Sequence, residues 1–176
     1  MCGLCGFTGE IIDRDAVITR MTDKITHRGP DSSGIFKDED VAMGFRRLSI
    51  IDISNTGDQP IYNEDRTLIL TFNGEIYNYQ ELREELLQKG HKFYTQTDSE
   101  VLLHGFEEWS EGMLTRLRGM FAFAIWNTVD KSLFLARDFF GIKPMHYTTV
   151  DGHFVYGSEI KSILEFPGFE KRLNYH

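Results

Sequence analysis

A chain of 176 residues with 41% apolar and 13% aromatic content is sized for one domain burying roughly 70% of the surface its unfolded form exposes, which excludes a disordered tail. A formal net charge of -8 with no basic run longer than the pair Arg46-Arg47 argues against a nucleic-acid partner, because phosphate binding needs a basic stripe. The longest apolar run, Met120 to Trp126, falls far short of the roughly 20 residues of a spanning helix, so no membrane partner is expected; two cysteines without a signal-like N-terminus point to a reducing, cytoplasmic setting.

In chain order, Leu4 to Thr8 forms a β-prone run closed by Gly9. Asp13 to Thr26 places Val17, Met21 and Ile25 at four-residue steps, one apolar stripe on a helix that must stop before Arg28-Gly29-Pro30. A loop is expected after it. Val41 to Phe45 and Leu68 to Phe72 read as strands, and Gln80 to Lys89 as a helix carrying Leu82, Leu86 and Leu87 and stopped by Gly90. Thr97-Asp98-Ser99-Glu100 has capping-box spacing and opens a helix through Leu103 and Phe106 to Trp109, with a further turn over Leu114 to Leu117. Beyond Gly119, Phe121 to Trp126, Leu133 to Ala136, Met145 to Thr149 and Phe154 to Tyr156 read as an antiparallel meander, followed by a short helix over Ser158 to Leu164. The sum is an α+β protein, two antiparallel sheets covered by helices, in one domain over residues 1–176.

The chemistry starts at the N-terminus. Cys2 follows Met1 and precedes Gly3, so removal of Met1 leaves a thiol and a free α-amine on one residue. That amine has an ordinary pKa of about 7.7 to 8.0 and the thiol one of about 8.5, which suits a base and a nucleophile working near neutral pH. Cys2 and Cys5 also form a C-x-x-C pair. Zinc needs about four ligands, and there is neither a second cysteine pair nor a close histidine spacing to supply them. A redox pair usually opens a helix rather than a strand, so Cys5 is expected to be a small buried side chain and no metal site is expected. His27-Arg28-Gly29-Pro30-Asp31, the arginine pair before Leu48, and Asn73-Gly74-Glu75 after a strand each have a plain explanation as loop, solvated charge and hairpin turn. Their joint presence behind an N-terminal Cys-Gly is harder to dismiss.

With these blocks, and with Gln59 to Asn63, Thr97 to Glu100, Gly119 to Phe123, Arg137-Asp138, Gly141 to Pro144 and Ser158 to Lys161, the chain resembles the glutaminase domain of class II glutamine amidotransferases, in particular that of glutamine-dependent asparagine synthetases. The resemblance spans essentially the whole chain. It implies an N-terminal nucleophile (Ntn) hydrolase fold, a four-layer αββα sandwich, and removal of Met1. It also implies that the Cys2 thiolate attacks the carboxamide carbon of glutamine, with the oxyanion received by the Asn73 side chain and the Gly74 N–H. Arg47 would then hold the α-carboxylate, the backbone of Ile51 would add contacts near it, and Glu75 and Asp98 would receive the α-ammonium. Asp98 lies inside a capping sequence, so a helix-start role competes with that one.

Cys5 departs from the family's usual small or apolar residue. No Ser-Gly-Gly-x-Asp-Ser pyrophosphate loop occurs in the sequence, so the chain is expected to be the N-terminal part of a longer protein. No cofactor is expected in this domain, and ATP and Mg²⁺ would belong to a C-terminal synthetase domain. That domain is the expected partner besides glutamine, and a homodimer of the parent protein is a further expectation. The alternatives are an amidotransferase serving another acceptor, a sugar or other metabolite, and a non-catalytic glutamine-sensing or docking module.

Overall fold

The computed structural model describes residues 1–48 and 58–169. Its strands are β1 (Gly3–Thr8), β2 (Ser32–Lys37), β3 (Val41–Arg47), β4 (Ile61–Tyr62), β5 (Leu68–Ile76), β6 (Gly119–Asn127), β7 (Ser132–Arg137), β8 (His146–Val150) and β9 (His153–Gly157). Its helices are α1 (Arg14–Asp23), α2 (Tyr79–Gln88), α3 (Asp98–Trp109) and the single turn α4 (Ile160–Ile163), with 3-10 turns at Thr26–Arg28 and Ser110–Thr115. The strands form two antiparallel sheets, one in the order β2-β3-β1-β9-β8 and the other β4-β5-β6-β7.

Side chains alternate across a strand, and this alternation sorts the molecule into layers. Along β1, Leu4 belongs to the cluster between the sheets, with Val41, Met43, Phe45, Ile69, Trp126 and Tyr156. Cys5 and Phe7 face the other way, into a cluster with Val17, Ile18 and Met21 of α1 and Ile163 of α4. Along β5, Leu68, Leu70 and Phe72 pack under Leu82 and Leu86 of α2 and Leu102 and Leu103 of α3. The order is therefore helix, sheet, sheet, helix, the αββα sandwich that the resemblance implies.

Five expectations are corrected. The loop expected after Arg28-Gly29-Pro30 contains β2, a strand whose residues alternate between half-buried and exposed and whose partner among the described residues is β3 alone. The apparent meander is divided: β6 and β7 lie in one sheet and β8 and β9 in the other. Asp138 makes that crossing, its carboxylate accepting the N–H groups of Phe121, Ile142 and Lys143 at 3.2, 2.9 and 3.0 Å. Asn73-Gly74 is not a hairpin turn, because β5 continues through it in register with β6 to Ile76. The first helix stops at Asp23, and Thr26–Arg28 forms a separate tight turn. The capping box is half realised: the Thr97 side chain accepts from the Glu100 N–H, while the Glu100 carboxylate turns instead to the N–H groups of Tyr94 and Thr95, each at 2.7 Å.

Candidate functional site

Cys2 stands one residue ahead of β1, on the side that alternation gives to Leu4, and packs half-buried against the cluster between the sheets. The Leu48 N–H donates to its Sγ at 3.4 Å. The Cys2 carbonyl accepts from Arg28 Nε at 3.0 Å, and the same guanidinium reaches Glu159 Oε1 through Nη1 at 3.1 Å. Glu159 also meets His27 Nε2 at 2.8 Å and Lys161 Nζ at 3.0 Å. Burial raises its carboxyl pKa, but His27, Lys161 and Arg28 outweigh burial and hold it down to about 2. Next to Glu159, Ser158 pairs with Leu4 in both directions, its N–H donating to the Leu4 carbonyl at 2.8 Å and its Oγ accepting from the Leu4 N–H at 3.0 Å. Gly3 leaves room for this brace, since a Cβ there would lie 3.1 Å from Arg28 Cδ. The blocks His27 to Asp31 and Ser158 to Lys161, to which the sequence assigned no role, thus fix the leading strand. No local signal joins them, because their meeting depends on β9 lying beside β1.

The two cysteines occupy opposite environments. Cys5 Sγ is fully buried 3.5 Å from Thr22 Oγ1 under α1, and burial pushes its thiol up to about 11. A strand that sends Cys2 inward and Cys5 outward cannot pair them, which fits the sequence reading of Cys5 as packing.

The arginine pair is divided by the same rule. Arg46 points to the α1 side, where it donates to the Thr22 carbonyl at 3.2 Å and pairs with Asp23. Arg47 points to the side of Phe45 and Met43 and is buried, with Nη1 3.0 Å from Asp58 Oδ1. Ser32 Oγ donates to the same oxygen at 2.8 Å. The following residue, Gln59, then ties this rim to the second sheet. Its side-chain amide donates to the Phe72 carbonyl at 3.1 Å, and its Oε1 accepts the Phe72 N–H.

Immediately beyond Phe72, β5 becomes polar. Asn73 is 2% exposed, faces the other sheet by alternation with Ile69 and Thr71, and its Nδ2 has no hydrogen-bond partner among the described residues. A buried donor left unpaired costs about 1–3 kcal/mol, so this atom is poised for an acceptor brought from outside. Gly74 sits opposite Phe121, whose own N–H and carbonyl are taken by Asp138 on the far side. Gly74 is thus a non-bonded pair, and its N–H turns away from β6, as those of Phe72 and Ile76 do. Phe72 meets Gln59 there and Ile76 meets Asp98 Oδ2 at 2.9 Å. Among the described residues nothing meets the Gly74 N–H between them, on the edge beyond the reach of two-residue β4. No larger residue fits at 74, where a Cβ would lie 2.3 Å from the Met120 carbonyl oxygen.

Asp98 is the first residue of α3, but Thr97 supplies the side-chain cap and Asp98 turns back to the end of β5. Burial raises its pKa against the opposing hydrogen bond from Ile76, and the nearby charge of Glu75 raises it further. Two carboxylates repelling each other in a partly dry setting favour a cation between them.

A continuous chain of contacts therefore runs from Cys2 through Leu48, Arg47, Asp58, Gln59 and Phe72 to Asn73, Gly74, Glu75 and Asp98. This chain links a thiol, two donors without a partner among the described residues, a buried guanidinium and a carboxylate pair, the complement of an amino acid with a polarised carbonyl on its side chain. Ile51 lies outside the described residues. A surface depression of about 980 Å³ lies elsewhere, at the opposite end of the strands. There Lys131 pairs with Asp40 at 2.7 Å and Arg14 donates to the Gly9 carbonyl at 2.8 Å.

Comparison with known proteins bears on this edge. Residues 1–176 match the family described as "Glutamine amidotransferase domain". The chain is 51% identical over 169 residues to asparagine synthetase [glutamine-hydrolyzing] 1 of Bacillus subtilis (strain 168), covering 92% of this chain and 27% of that protein. It is 41% identical over 167 residues to the asparagine synthetase [glutamine-hydrolyzing] of Zea mays, covering 93% of this chain and 28% of that one. Among solved structures, the glutamine phosphoribosylpyrophosphate amidotransferase of B. subtilis superposes with a TM-score of 0.77 at 21% identity, over 92% of this chain and 43% of that one. The chain thus spans little more than a quarter of the length of these curated relatives, and the solved structure carries the fold alone.

Proposed function

This chain belongs to the glutamine amidotransferase domain family, and from that premise we propose that it hydrolyses glutamine to glutamate and ammonia at the edge between Cys2 and Asp98. The Cys2 thiolate attacks the carboxamide carbon, and the α-amine freed by loss of Met1 manages the proton. The Asn73 amide and the Gly74 N–H receive the oxyanion, worth about 2.7–4 kcal/mol of transition-state stabilisation for a single such donor. Arg47 pairs with the α-carboxylate through a planar fork that lysine lacks. Asp98, with Glu75, takes the α-ammonium, and Ile51 contributes backbone contacts. Arg28 and Glu159 position the nucleophile through its carbonyl. The observation that carries the reading is the buried Nδ2 of Asn73 beside the Gly74 N–H, both without a partner among the described residues. Hydrolysis needs no cofactor in this domain.

The ammonia acceptor is proposed to be an activated aspartate in a C-terminal synthetase domain, where ATP and Mg²⁺ would act. Asparagine would then be the product of the parent protein, a cytoplasmic and dimeric enzyme. The names and lengths of the curated relatives support the synthetase domain and asparagine as product. Among the described residues no helix is long and apolar enough to cross a membrane. The loop bearing Phe139, Phe140 and Ile142, which are 95%, 84% and 56% exposed, adjoins Met1 through Lys143 Nζ at 3.3 Å. It offers the synthetase domain an apolar face next to the nucleophile.

Mass spectrometry of the protein incubated with a glutamine-like electrophile tests the reading. A single adduct on Cys2 in molecules that have lost Met1 is expected, together with glutamate release from glutamine. Turnover by protein that retains Met1, or labelling away from Cys2, would overturn it.

A further inference from the structure

A second constellation lies on the outer surface of α3, under the turn that leads into β5. His104, 2% exposed on α3, has Nδ1 2.6 Å from Glu107 Oε2, and His91, just past the end of α2, has Nδ1 3.7 Å from the same oxygen. One ligand atom from each of the three lies within 4.8 Å of the others, and Glu64 Oε2 is 3.9 Å from His104 Nδ1. We propose that His91, His104 and Glu107 bind one divalent transition-metal ion of the zinc class, with Glu64 or water as the fourth ligand.

Tetrahedral zinc with bonds of about 2.0–2.2 Å to nitrogen and oxygen spaces its ligand atoms roughly 3.3–3.6 Å apart. The observed separations lie on both sides of that range, so closure needs small side-chain movements. Two imidazoles and a carboxylate select zinc and its neighbours over calcium or magnesium. The outer contacts point the same way. A ligating histidine ordinarily presents its other ring nitrogen to a carboxylate, and the ligating carboxylate is itself hydrogen-bonded. Here His91 Nε2 is 3.3 Å from Glu108 Oε2, and His104 Nε2 is 3.8 Å from Glu100 Oε1. Glu107 Oε1 accepts from Asn63 Nδ2 at 2.7 Å. Both rings thus turn Nδ1 towards Glu107 while carboxylates stand behind them, an arrangement that a simple ion pair does not require.

The sequence argued against a metal because no histidine has a close neighbour of its kind, His91 and His104 being thirteen positions apart. The packing of α2 on α3 removes that separation. Glu107 supplies the third group on the same helical face as His104. The ion would staple the turn before β5, the connection after α2, and the helix that begins at Asp98. It lies apart from the contact chain at Cys2 and takes no part in the chemistry.

The test uses the tag-free full chain carrying Cys2→Ser, which keeps zinc off the nucleophile. Calorimetry with Zn²⁺ against a competing chelator is expected to show one equivalent bound, with a raised Tm. His91→Ala is expected to weaken binding by at least ~100-fold, and Glu108→Gln, behind the ligand, by about 10-fold. Co²⁺ added to the same Cys2→Ser chain is expected to give tetrahedral visible bands without a thiolate charge-transfer band, a readout that survives if a variant fails to fold. Absence of stoichiometric binding, or affinity unchanged in His91→Ala, would overturn the site and leave an ion-pair cluster. Glutamine hydrolysis is not read in this experiment, so its outcome is independent of the proposed function.

Discussion

Strand β5 divides at Phe72. Over Leu68 to Phe72 it is flanked on both edges, with β6 on one side and β4 and the Gln59 side chain on the other, and its outward side chains disappear under α2 and α3. From Asn73 to Ile76 it keeps β6 but loses β4, and its polar groups meet a side-chain carboxylate or nothing among the described residues. The same strand, in one register, is thus a structural beam for half its length and a binding edge for the rest. The difference comes from the shortness of β4 and from what stands opposite. Apolar packing saturates one half, while the other half keeps hydrogen-bonding capacity in reserve at a cost to stability.

The sharpest way to break this comparison is to injure each half separately. Leu70→Ala removes a fully buried side chain from beneath the helices and is expected to cost ~2–5 kcal/mol of stability by chemical denaturation. KM for glutamine should stay unchanged in the folded fraction, and the opposite outcome would exchange the roles of the two halves. Asn73→Ala should do the reverse, lowering kcat by roughly 10²–10³-fold at unchanged or slightly greater stability, because the unpaired buried donor is gone. Normal turnover in that variant would remove Asn73 from the reaction.

The smallest effect concerns Asp98, and its sign follows from its raised pKa. A carboxyl whose pKa rises on folding stabilises the fold fully below its unfolded value, near 3.8, and that contribution is lost as pH climbs through the raised folded value. Ionised Asp98 therefore weighs against the ligand-free fold at neutral pH. Asp98→Asn keeps an acceptor for the Ile76 N–H while removing the charge, so a slightly higher Tm, a flatter stability profile over that pH window and a raised KM for glutamine are expected together. A lower Tm with unchanged KM would return Asp98 to the role of helix terminus.

Particular residues show how much was legible beforehand. The apolar stripe of Val17 and Met21 and the leucines of α2 announced their helices, because a helix repeats its burial pattern locally. Strand β2 escaped because one face of it is wet and its partner is the following strand, not its own composition. Cys2 was legible from its place behind Met1. Arg47 rather than Arg46 was supplied by resemblance, and the structure adds the reason, one step of strand alternation that sends Arg46 to Asp23 on α1. Asn73-Gly74 has the letters of a turn, and only pairing with β6 makes it a strand.

By itself, then, the sequence determined the inventory: which segments are apolar with which period, that a nucleophile can stand at the leading end, and that the surface is acidic. These properties are local, set by spacing along the chain and by the side chains themselves. The tertiary structure decided which groups are left unsatisfied and which are clamped. Arg28 finds Glu159 across β1, the Asn73 amide is stranded between the sheets, and His91 is folded against His104. Hydrogen-bond satisfaction and charge pairing are properties of neighbours in space, and where β9 lies beside β1 those neighbours come from opposite ends of the chain.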